Sequence, residues 1–144
     1  MAITSAICNS FKQEILVEGH NFTNGADQFK LALYTSSATL GASTTAYSAT
    51  NEISNTSGSA YSAGGKNLTS VTPTLDGSTA VCDFGDISFT SASFTANGAL
   101  IYNDTQSDKA VAVIAFGSDK TVTSGTFTIQ FPTADATNAI IRIA

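Results

Sequence analysis

Apolar positions recur with two different periods along this chain, and the change of period divides it. Between Ser5 and Gly19, the residues Ile7, Phe11, Ile15 and Leu16 stand four, four and one apart, on one face of a helix. Glu14 and Glu18 fall off that face. Ser5 or Ser10 is placed to cap the start, and Gly19 to end the helix in a left-handed C-cap. From Asn24-Gly25 onward the period is two. In 28–35, QFKLALYT, Phe29, Leu31 and Leu33 share one face while Lys30, Ala32 and Tyr34 share the other, as in a half-buried strand.

Residues 36–65 break the alternation. They are mostly Ser, Thr, Ala, Gly and Asn, with Leu40, Tyr47, Ile53 and Tyr61 standing alone. A loop this long inside a compact domain is uncommon and is usually functional or disordered. Alternation returns over 66–75 and 78–84, separated by Asp76-Gly77, which predicts a hairpin closed by a type I′ turn. Pro73 cannot donate to a ladder and marks an edge or a bulge. A short strand follows at 86–90. Asn97-Gly98, between ASFTA and ALIYN, predicts a second hairpin. The segments 109–116 and 125–131 read as the clearest buried strands, Pro132 stops the latter, and NAIIRIA closes the chain as a strand that is either central or covered by a contact.

These elements predict an all-β fold: an antiparallel sandwich or jelly-roll-like domain of about eight strands with a short N-terminal helix. We expect one domain over 1–144, with an N-terminal arm and helix in 1–24 and the Ser/Thr/Ala-rich loop of 36–65 inside it. No βαβ alternation is present, which excludes a parallel nucleotide-binding sheet.

Composition narrows the function. Only 12% of residues are charged, whereas Ser and Thr together number 39 of 144, so polarity here comes from hydroxyls. The net charge is −5, and the six cations form no patch, which argues against direct nucleic-acid binding. The longest near-apolar run, 109–117, is too short to span a bilayer, and no membrane partner is expected. The opening MAITSAICNSFKQ lacks a charged segment followed by a long apolar one, so we expect no signal peptide and synthesis in the cytoplasm. Cys8 and Cys82 are then expected as free thiols, and the Asn-x-Ser/Thr triplets at Asn21, Asn55, Asn67 and Asn103 carry no glycan meaning.

Catalytic chemistry has little to draw on. His20 is the only histidine and is expected to serve the end of the helix. There is no G-x-S-x-G elbow, no metal-ligand spacing, and Gly64-Gly65-Lys66 is not a phosphate loop. Asp83 and Asp86 bracket Phe84-Gly85, and Asp104 and Asp108 bracket Thr105–Ser107; the 103–108 loop lacks the Gly and Glu of a calcium loop, and an Asx-type turn is expected there. We therefore expect no enzyme, no cofactor and no metal.

Several runs do point to a kind of protein. The words FKQE and GHNF, DQFKLALYTSSATLGASTTAYSATNEIS, AYSAGGKNL, DFGDISFTSASFTANGALIYN, KAVAVIAFGSDKTVTSGTFTIQFP and IIRIA together resemble a family of small structural proteins encoded by tailed bacteriophages. The resemblance implies a virion component. One form is a capsid decoration, or cement, protein that binds the outside of the head and stabilises the shell, with the major capsid protein and copies of itself as partners. The other is a tail or fibre-associated adhesion module. The expected interface residues are Ile3 and Ile7 in the uncharged arm and Leu40, Tyr47, Ile53 and Tyr61 in the long loop.

Overall fold

A computed structural model describes residues 2–54 and 58–144. In chain order the elements are β1 (Ala6–Ile7), α1 (Asn9–Glu14) with a 3₁₀ turn over Ile15–Val17, β2 (Phe29–Tyr34), β3 (Lys66–Asn67), β4 (Ser70–Asp76), β5 (Thr79–Phe84), β6 (Ile87–Asn103), β7 (Lys109–Ile129) and β8 (Ile141–Ile143). They form two antiparallel sheets, of order β1-β7-β6-β2-β3 and β4-β5-β8, an all-β sandwich with one short N-terminal helix.

Asn97-Gly98 makes no turn. Gly98 lies inside a 17-residue strand, opposite Tyr34 of β2 and Ala115 of β7. The segments 86–90, ASFTA and ALIYN are therefore one strand, and 109–116 and 125–131 are likewise one. A turn at Asn97 would forfeit ladder bonds on both edges of β6 and the burial of Ala99 to Asn103, all 2% exposed or less. That outweighs a local turn preference. The turn chemistry is spent on the partner strand. Between the pairs Ala96↔Lys120 and Gly98↔Ala115, β7 sets residues 116–119 against Asn97 alone, with Gly117 at φ +80°. Asn97 Nδ2 donates to Asp119 Oδ1 across this bulge at 2.9 Å.

The other hairpins follow expectation more closely. Asp76 pairs with Thr79, so the two-residue loop is Gly77-Ser78, one place later than expected; φ is positive at Gly77 only, so the turn is not type I′. Pro73 sits where the β4–β5 register shifts, between Val71 and Thr74. The 103–108 connection is an Asx turn, with the Gln106 amide donating to Asn103 Oδ1 at 3.2 Å.

The helix is shorter than its apolar spacing implies. Its N-cap is Cys8, without a side-chain cap; Ser5 instead accepts the Ala115 amide on β7 at 2.8 Å, and Ser10 Oγ is buried without a partner. Glu18, not Gly19, takes the left-handed conformation, at φ 59°. The Gly19 amide then donates back to the Glu14 carbonyl at 2.8 Å, closing a Schellman-type end. A Cβ at Gly19 would lie 2.7 Å from that carbonyl, so glycine serves close approach here rather than positive φ. The 3₁₀ turn rotates Leu16 off the packed face, leaving it 83% exposed.

The core is one cluster running from Cys8 to Ile141. On β2, Phe29 stacks on Phe22 at 4.4 Å and meets Phe84 of β5 at 5.6 Å, which joins the large sheet to the small one. Burial departs from expectation in two places. The 125–129 part of β7 is only half-buried or exposed, because only β6 pairs with it. The terminal strand is not central: β8 has three residues, pairs with β5 alone at the edge of its sheet, and leaves Ile143 58% exposed.

The N-terminal arm is threaded into the large sheet. Ala6 and Ile7 pair with Val113 and Ala112, and Ile3 bridges Leu40. A Cβ at Gly98 would meet Ile3 Cγ2 at 2.7 Å and the Ile114 carbonyl at 2.8 Å. We predict that Gly98→Val expels residues 2–7 from the sheet. Hydrogen exchange should show lost protection at Thr4, Cys8 and Ala115, with the amides of β2 unchanged.

Candidate functional site

Within the 36–65 excursion, whose residues 55–57 lie outside those described, one carboxylate gathers several of the bonds that hold it to the sheet. Glu52 Oε1 accepts the Tyr61 hydroxyl at 2.6 Å and the Gly64 amide at 2.8 Å, and Oε2 accepts the Tyr47 hydroxyl at 2.7 Å. The Tyr61 oxygen in turn accepts the Leu33 amide at 2.9 Å, and the Ile53 amide donates to the Leu33 carbonyl. Tyr102, projecting from β6, donates to the Gly64 carbonyl at 2.6 Å and stacks on Tyr47 at 4.7 Å. Tyr34 donates to the Ser48 carbonyl. All four tyrosine hydroxyls are thus used within the chain. Gly65 has φ +80°, and a Cβ there would lie 1.9 Å from the Leu31 carbonyl, so only glycine permits this seam.

Of the expected interface residues, two are buried and four are partly buried. Tyr61 is 1% and Ile53 6% exposed, so neither presents a surface to a partner. Tyr47, Leu40, Ile3 and Ile7 are half-buried against the core. Polar partners for the tyrosines draw the loop back over the sheet, since a buried hydroxyl without one is costly. Glu52 is the residue that sequence reasoning missed; as one acid in a polar stretch, it carried no periodic signal.

Burial, then the Glu52 bond and charge, push the Tyr47 hydroxyl up to about 12. Burial likewise raises Tyr34, Tyr61 and Tyr102 far above the ordinary tyrosine range.

A second polar chain runs beneath the helix. Asn103, fully buried, donates through Nδ2 to Asp27 Oδ2 at 2.8 Å and to His20 Nδ1 at 3.1 Å. The histidine proton therefore sits on Nε2, which donates to Glu14 Oε1 at 3.0 Å. His20 does not serve backbone carbonyls at the helix end, as expected from its position; it bridges the helix to β6. Burial raises the Asp27 carboxyl, but bonds from Asn103, the Asn21 amide and Gln106 outweigh that and hold it below the usual range. Among the described residues, no hydroxyl or thiol is hydrogen-bonded into this chain, so no nucleophile faces the histidine. Burial pushes both free thiols up to about 11, and at neutral pH they are protonated and poorly reactive. Among the described residues, no group of three or more His, Cys, Asp or Glu could hold a metal.

Beside polar depressions at Asn24–Gln28 and at Ser91, Ser93 and Ser124, the surface carries two largely apolar grooves. A groove of about 510 Å³ separates Ile7, Phe11, Lys12 and Ile15 from residues 139–143. It adjoins a second groove of about 470 Å³ bordered by Ile114, Ile129 and Phe131, the two meeting at Ile7 and Ile140. This seam lies beside the outer edges of both sheets, β1 and β8.

These features define an all-β protein whose four tyrosine hydroxyls, Glu52 and His20 bond within the chain and whose surface carries an apolar seam beside the free edge of β8. No protein-family model matches the chain, and no curated protein or solved structure is significantly similar to it.

Two outcomes follow from the Glu52 cluster. Glu52→Ala should cost about 3 kcal/mol in urea unfolding, because two tyrosine hydroxyls and an amide lose a charged acceptor; Glu52→Gln should cost less. The tyrosines, raised in the folded state, contribute stability that is complete below their unfolded value of about 10 and is lost as pH climbs toward and past about 12. Phenolate absorbance should therefore appear together with loss of the far-ultraviolet β signal, not before it.

Proposed function

We propose that this chain is a virion structural protein of a tailed bacteriophage, a decoration protein that binds the outside of the head and stabilises the shell. It acts passively, without catalysis, cofactor or metal, through contacts with the major capsid protein and with copies of itself. The observation that carries this reading is the pairing of inward-spent polar chemistry with uncovered edges. The polar chains centred on Glu52 and His20 both close on the fold itself, whereas β1 and β8 end their sheets beside a continuous apolar seam. Uncovered strand edges are readily used for pairing with another chain. Many modest contacts of that kind, repeated over a lattice, add up through multivalency. The phage-like words of the sequence supply the partner class.

A fibre-borne adhesin is less well supported. It would offer aromatic rings to a sugar or receptor, and every tyrosine here is engaged inside the chain while tryptophan is absent.

Quantitative mass spectrometry of purified particles decides between these readings. A decoration protein should be present in numbers comparable to the shell protein, and particles lacking it should release DNA at lower temperature, with the loss reversed by adding the purified chain. A copy number matching a tail or fibre component would overturn the proposal.

A further inference from the structure

We infer that the groove between α1 and β8 is a strand-addition site for an extended partner segment that alternates apolar and acidic residues. Strand β8 closes the order β4-β5-β8, so its outer backbone edge carries no ladder. Ile141 and Ile143 lie on one face of β8 and Arg142 on the other, by the alternation of a strand. Ile141 is buried in the core and Ile143, on the same face, lines the groove at 58% exposure, while Arg142 lies on the opposite face. A strand added beside β8 would place every second side chain into the groove, against Phe11 and Ile15, and the alternate ones beside Arg142.

Charge selects the occupant. The chain has eleven acids and six cations, yet the groove is lined by Lys12 and Arg142 and by no carboxylate. Lys12 bonds Asn9 Oδ1 and Arg142 bonds the Ala136 carbonyl, and among the described residues neither lies within 4 Å of a carboxylate. Two unpaired cations flanking an apolar trough on an acidic protein complement an anionic strand, and they would repel a basic one.

The inference rests on the shell-binding reading only for the partner's origin, and the test is made on the isolated chain so that the two can fail separately. Two capped heptapeptides are titrated into the isotope-labelled full chain and followed by amide chemical shifts. One alternates Val and Ile with Glu; the other carries Lys in place of each Glu. The Glu peptide should shift Ile141, Ile143 and Lys12 saturably, and the Lys peptide should bind more weakly. Arg142→Gln and Lys12→Gln should each weaken the Glu peptide about two- to fivefold. Among the described residues the Lys12 ammonium hydrogen-bonds only the exposed Asn9 side chain, so its variant carries the test alone if Arg142→Gln disturbs the fold. Equal affinity of the two peptides, shifts confined to β7, or no binding would overturn the inference. A chain that dimerises through β8 and binds neither peptide would assign the groove to a second copy, and overturn it as well.

Discussion

From Gly98 to Asn103, strand β6 is paired along both edges, to β2 on one side and to β7 on the other. Its side chains over Ala99–Asn103 are buried on both faces at once. Tyr102 points into the layer built by the 36–65 excursion, and Asn103 into the layer built by the helix and His20. β2 and the excursion take position from this segment, the arm and the helix pack on its partner β7, and pairing on both edges is why an Asn-Gly pair within β6 is held extended.

The two polar chains use similar means for different elements. Glu52 gathers two tyrosines and an amide, and thereby converts a polar excursion into a fixed layer over the sheet. Asn103 gathers His20, Asp27 and Gln106, and thereby ties a two-turn helix that could not stand alone to the end of the central hairpin. In each case a buried or half-buried acceptor is satisfied by donors distant in sequence, so the bonds stabilise tertiary arrangement more than local structure. Beside these clusters the chain leaves the outer edge of β8 and the apolar seam next to it open. A protein that works by lateral contact requires such a surface.

The long loop shows the limit of reading exposure from composition. Isolated tyrosines among small residues suit a contact surface as well as they suit a clamp, because both uses bury an aromatic ring beside a polar tip. What separates the two is the location of the acceptor, and Glu52 takes its place only once the chain has turned back at Asn51, at φ 61°. The groove was equally hidden: Lys12, Ile15 and Arg142 lie in segments separated by most of the chain.

Period-two alternation, scarce charge and turn residues were enough to determine the all-β class, the single short helix, β2, the β4–β5 hairpin and the break at Pro73, because each reflects local geometry or the cost of burying charge. The joining of five expected segments into β6 and β7, the left-handed Glu18, the exposed β8 and the inward tyrosines were decided by tertiary structure. Each depends on a partner far along the chain: β2 and β7 for Gly98, β5 for β8, Glu52 for Tyr61. Local preferences amount to roughly 1 kcal/mol, and the burial and hydrogen bonding that such partners provide exceed it.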